Sequence, residues 1–105
     1  MTQDKSKTKE GLAVLALSER LAKFGQFARV IALLDLADWL MPASRRSAEL
    51  RLDMLMKLER WDDALDVIIS RIGVDQVNGR TLARLYWGLG DINLGNTSFR
   101  KSQQR

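Results

Sequence analysis

Neither cysteine nor histidine occurs in the 105 residues. Their absence excludes disulfides, thiolate chemistry, Cys/His zinc sites and the usual imidazole general base. Proline occurs once, at Pro42, and β-branched residues do not cluster into strand-like runs. Both facts lean towards an all-helical chain. Long uncharged stretches are also missing: Gly11–Ser18 is far short of the ~20 residues that span a bilayer. That stretch follows Lys5, Lys7 and Lys9, as in a signal peptide, but Asp4 and Glu10 interrupt the basic lead. Its apolar pattern then runs on as an amphipathic helix to Phe24, so a cytoplasmic location is expected.

What the sequence has is an ordinary globular composition, 46% hydrophobic and 29% charged, sufficient for one small domain. The formal charge is +4. Residues 1–10 and the stretch from Arg100 to Arg105 hold all of the excess. Between them eleven basic residues balance eleven acidic ones. A nucleic-acid-binding domain carries its basic stripe on the folded part, so none is expected to bind. Catalytic chemistry is equally thin. Asp62, Asp63 and Asp66 read as first-turn complements to a helix dipole, and Gly88-Leu89-Gly90 closes a helix where a phosphate loop would open one. No enzyme activity, cofactor or metal is expected.

Apolar spacing predicts five helices. Leu12, Val14, Leu17, Leu21 and Phe24 mark the first, and 27–40 the second, which stops short of Pro42 because residues before proline leave helical geometry. Ser44 caps a third at 45–58. A fourth follows at 62–72, ended by Gly73, and a fifth at 79–90. Residues 1–10 are expected to be a polar flexible start, 11–96 a repeat domain with units at 11–44, 45–75 and 76–96, and 97–105 a basic tail.

Displacing the chain by 34 residues lays Phe27 on Trp61, Val30 on Ala64, Leu34 on Ile68 and Leu21 on Leu55. A helix–turn–helix period of 34 is the tetratricopeptide spacing. A shift of 31 places Gly90 on Glu59 and Tyr86 on Leu55, which marks a third unit. Its second helix looks barely present, because Gly95 occupies the small packing position. The expected fold is therefore all-α, with antiparallel pairs stacked as a short tetratricopeptide-like solenoid of about five helices.

Projection of 45–58 puts Arg46, Glu49, Asp53 and Lys57 on one wedge and apolar residues around the rest. Arg51 falls inside the apolar arc, either paired to a carboxylate or held for a partner. The first two helices are apolar over more than half their surface, although an end unit should turn a polar face to water. Self-association or another polypeptide covering Leu12, Leu15, Ile31, Leu36 and Trp39 is the expected remedy, the alternative being tight packing within a small domain. Tyr86 and Trp87 are adjacent, so one of them is expected to be exposed. Met41, Met54 and Met56 fit either core or an adaptable groove.

Three stretches carry a family likeness: Leu36-Ala37-Asp38-Trp39-Leu40, Leu58-Glu59-Arg60-Trp61-Asp62-Asp63-Ala64-Leu65, and Leu85-Tyr86-Trp87-Gly88-Leu89-Gly90. Over about residues 12–92 the chain resembles the tetratricopeptide-like chaperones of the bacterial type III secretion needle subunit. It differs in its lysine-rich start and in a short C-terminal part. The resemblance implies a heterotrimer with the needle subunit and a small helical co-chaperone. The repeat protein's concave face would hold the needle subunit's amphipathic helix and keep it from polymerising before export. On repeat geometry the groove residues would be Leu12, Leu15, Ala22, Met56 and Trp87, with Glu19 and Asp53 as polar rim. The alternative is a general helical-repeat adaptor or homodimeric scaffold; a basic nucleic-acid regulator ranks behind both.

Overall fold

A computed structural model describes residues 2–103. It is all-helical, and no strand occurs among the described residues. Six α-helices follow one another: α1 (Thr2–Lys23), α2 (Phe27–Leu40), α3 (Arg45–Lys57), α4 (Trp61–Val67), α5 (Gly79–Gly88) and α6 (Ile92–Gln103). A π-helical turn, Ile68–Ile72, prolongs α4, and a 3₁₀ turn, Val74–Gln76, leads into α5. Helices adjacent in sequence pack on one another, and α3 also reaches α1. The molecule measures 49 × 27 × 23 Å.

Three of the connections share one backbone form. Gly25, Glu59 and Gly90 all adopt positive φ, at 76°, 58° and 89°. After each, the next amide reaches back to close the preceding helix: Gln26 to Leu21 O at 3.3 Å, Arg60 to Leu55 O at 2.9 Å, and Asp91 to Tyr86 O at 2.8 Å. This is the left-handed helix ending that glycine makes without steric cost and glutamate does not. Five residues beyond each of these positions stands a buried small or β-branched residue: Val30, Ala64 and Gly95. The turns therefore recur at the 34- and 31-residue shifts read from the sequence.

Capping is local and legible. The Ser44 side chain accepts the Ser47 amide at 3.1 Å, Asn78 accepts that of Arg80 at 2.7 Å, and Asp91 accepts that of Leu94 at 3.0 Å. Gly73, at φ 99°, ends the π turn.

Two apolar clusters, bridged by Ile31, hold the stack. Leu15, Val30, Leu34 and Met54 join α1, α2 and α3. Ala48, Leu52, Leu55, Met56, Ala64, Val67, Ile68 and Leu85 join α3, α4, the π turn and α5. Methionine acts as core here: Met54 is fully buried, Met56 nearly so, and Met41 packs against Gly11.

Two expectations need correction. The described residues form six α-helices, not about five, because α6 is a full twelve-residue helix. Gly95 does not weaken it; the Trp87 indole lies where a Cβ would project from Gly95, so the missing side chain lets α6 close on α5. The second concerns residues 2–10, which continue α1 by helix propagation. They also have something to cover, since the Lys7 ammonium sits 5.2 Å above the Trp39 ring.

Candidate functional site

The seven residues expected at a partner groove do not share one surface. Leu12 is 47% exposed, whereas Leu15 is fully buried beneath Val30, Leu34 and Met54. Met56 is buried in the second cluster. Leu15 and Met56 are thus interior residues, a correction to their assignment as groove-lining. Their helices spend those faces on α2 and α4 instead. Ala22 packs half-buried on the first cluster. Glu19 pairs with Arg46, tying α1 to α3, and exposed Asp53 pairs with Lys57 at 3.5 Å. Trp87 remains half-exposed at the far end of the molecule.

Arg51 is held within the chain. It donates to Asp35 at 2.7 Å and to Asp38 at 2.8 Å. Asp38 is a hub: it also accepts the Ser47 hydroxyl at 2.6 Å and both terminal nitrogens of Arg71 at 2.8 and 3.0 Å. Burial pushes the Asp38 carboxyl up, but hydrogen bonds from Arg71, Ser47 and Arg51 outweigh it and leave its pKa below the ordinary value. The π turn brings Arg71 into this network, so one carboxylate ties α2, α3 and the end of α4 together.

Uncovered apolar surface lies at both ends of the stack. On α1, α2 and the turn between them it comprises Leu12, Leu17, Phe24, Leu36 and Trp39, the last 69% exposed. A cleft of about 610 Å³ runs beside Trp39 between Lys7, Thr8 and the Met41–Ser44 segment. At the other end are Val74, Trp87, Ile92, Leu94 and Phe99. A second groove of about 400 Å³ opens between α5 and α6, lined by Val77, Leu82, Tyr86, Leu94 and Lys101 among others. Tyr86 lines this groove, whereas Trp87 packs on Gly95, Asn96 and Phe99 of α6 outside it and is the more exposed of the pair.

Trp87 is firmly seated. Its Nε1 donates to Asn96 Oδ1 at 3.1 Å, Gly95 lies against the indole, and the Phe99 ring centroid is 5.9 Å away. Trp61 similarly rests on Gly88 and joins the start of α4 to the end of α5.

The sequence reasoning missed α6 and, with it, the exposed Ile92, Leu94 and Phe99. The available signal was Asp91, a good N-cap residue directly after a left-handed glycine. Among the described residues no helix is long and apolar enough to cross a membrane. Comparison with protein-family models, curated proteins and solved structures returns no match.

Proposed function

We propose that this chain is a helix-binding export chaperone. It would be a tetratricopeptide-like stack that holds the amphipathic helix of a self-polymerising type III secretion needle subunit in the bacterial cytoplasm, together with a small helical co-chaperone. One observation carries the reading: eleven large hydrophobic side chains, from Leu12 to Phe99, lie open in a 105-residue chain, five of them towards the α1–α2 end and five towards the α5–α6 end. Apolar patches of this kind mark protein-interaction surfaces. Helix faces presented side by side are the natural seat for a third helix. The recurrent turns at Gly25, Glu59 and Gly90 favour a repeat stack, and the three likeness-bearing stretches favour this family within that class.

The groove is reassigned within the proposal. The exposed residues Leu12, Leu17, Leu36 and Trp39 mark the α1–α2 end as one candidate surface and the α5–α6 end is the other. Leu15 and Met56 support them from inside.

The test is direct. A purified needle-type subunit polymerises with a rise in light scattering, and an equimolar amount of this chain should suppress that rise and elute with the subunit as a defined complex. Leu36→Asp/Trp39→Asp should reduce the effect while leaving helicity intact. Undiminished polymerisation, with the chain eluting alone as a monomer that binds no hydrophobic dye, would overturn the proposal.

A further inference from the structure

All seven ion pairs among the described residues lie between Glu19 and Arg71. Beyond Arg71 the balance of charge changes. Residues 72–103 contain Arg80, Arg84, Arg100 and Lys101 against two acids, Asp75 and Asp91; Asp75 lines the groove on the Tyr86 side of the hairpin, and Asp91 is occupied in capping α6. All four cations are exposed, and none pairs with a carboxylate of another described residue within 4 Å. Arg80 and Arg84 come from the charge-balanced stretch 11–99, and Arg100 and Lys101 from the basic C-terminal stretch; the α5–α6 hairpin brings the two pairs into one region.

Arg80, Arg84 and Trp87 stand at i, i+4 and i+7 of α5. That spacing places them on one face over about 10 Å of helix. The aromatic member is already fixed by Asn96, Gly95 and Phe99, so little side-chain entropy remains to be lost on binding. Exposed Ile92 and Phe99 extend the apolar part of the hairpin. Three of the four cations are arginines, whose planar fork matches a carboxylate in two-point contact.

We propose that the Arg80–Arg84–Trp87 face of α5, with Phe99 beside it, docks an acidic amphipathic helix of another polypeptide, its carboxylates one turn apart on the arginines and an apolar side chain on Trp87. This rests on the helix-binding reading above and adds the charge of the bound helix and the end of the stack that takes it. A nucleic acid is the poorer fit. Its phosphates would use the arginines but leave the aliphatic Ile92 and Leu94 without a role, and four cations form no continuous stripe.

The experiment uses the full chain and three synthetic amphipathic peptides of about 18 residues, long enough to be helical alone. They share a leucine stripe and carry Glu, Gln or Lys at flanking positions one turn apart. Affinities are read by fluorescence anisotropy at low and high salt. The Glu peptide should bind at least about tenfold more tightly than the Gln peptide at low salt, an advantage that salt erodes. Arg80→Glu/Arg84→Glu should abolish that preference and transfer it to the Lys peptide. Lys9→Glu/Arg45→Glu, an equal change of net charge made elsewhere, should leave the preference intact. Trp87→Ala should weaken all three peptides. Equal binding of the Glu and Gln peptides, unaffected by Arg80→Glu/Arg84→Glu, would overturn the inference and leave the helix-binding reading standing. No binding of any peptide would remove both. Displacement of the Glu peptide by a single-stranded oligonucleotide, or self-association abolished by Arg80→Glu/Arg84→Glu, would assign the face to a different occupant and also overturn it.

Discussion

Replacing Asp38 with asparagine tests what holds α2, α3 and the end of α4 together. The carboxylate accepts four hydrogen bonds, from Ser47, Arg51 and twice from Arg71, at 2.6 to 3.0 Å. Asparagine keeps the shape but offers one oxygen in place of two, and its amide nitrogen would point a donor at arginine donors. Each hydrogen bond to a charged group is worth about 1.5–3 kcal/mol when broken in place. The Asp38 and Arg71 side chains are each 23% exposed, so water recovers part of the loss. A net cost of about 2–3 kcal/mol follows, or a fall in Tm of about 10 °C for a domain of this size. Urea unfolding by circular dichroism measures it. The pH dependence supplies a second check. Because the folded-state pKa is depressed, the contribution is complete above the unfolded value, about 3.9, and is lost as pH falls through the lower folded value. The gap between parent and Asp38→Asn should therefore be constant near neutrality and close below about pH 4. A variant within about 0.5 kcal/mol of the parent at pH 7 would refute the hub.

Other perturbations follow from the same geometry. Glu59→Gly relieves a left-handed glutamate and should stabilise the chain by about 0.5–1 kcal/mol, seen as a higher urea midpoint at unchanged slope. Gly95→Ala drives a methyl into the Trp87 indole and should cost about 2 kcal/mol, with Trp emission shifted to the red as α6 separates from α5. Leu15→Asp puts a charge into a sealed cluster and should unfold the chain by circular dichroism, whereas Leu12→Asp on the exposed side should change the midpoint by less than about 0.5 kcal/mol.

The middle four helices were legible because their apolar residues recur at helical spacing and their ends carry breakers: Pro42, Ser44, Gly73 and Gly90. The turn positions were legible for the same reason, since the 34- and 31-residue shifts align the residues that take positive φ. The segment 2–10 escaped because its helix is carried by propagation from α1 and has no apolar pattern of its own. Helix α6 escaped because Gly95 reads as a breaker in isolation. Its function becomes visible only when the Trp87 indole is placed against it. Leu15 and Met56 were misplaced for a different reason. Periodicity identifies an apolar face but not the neighbour that claims it, and here α2 and α4 claim those faces. The charge on α5 lay in plain view in Arg80 and Arg84, hidden by the zero sum over residues 11–99.

The α5–α6 hairpin is joined by aromatic packing and an indole hydrogen bond, and among the described residues no ion pair crosses it. Apolar association weakens on cooling, whereas ion pairing such as that around Asp38 does not share this dependence. Near freezing, the last hairpin should therefore loosen before the remainder, so that hydrogen exchange at α6 amides accelerates relative to α3 as temperature drops. A protein stored cold would then begin to fail from its C-terminal end.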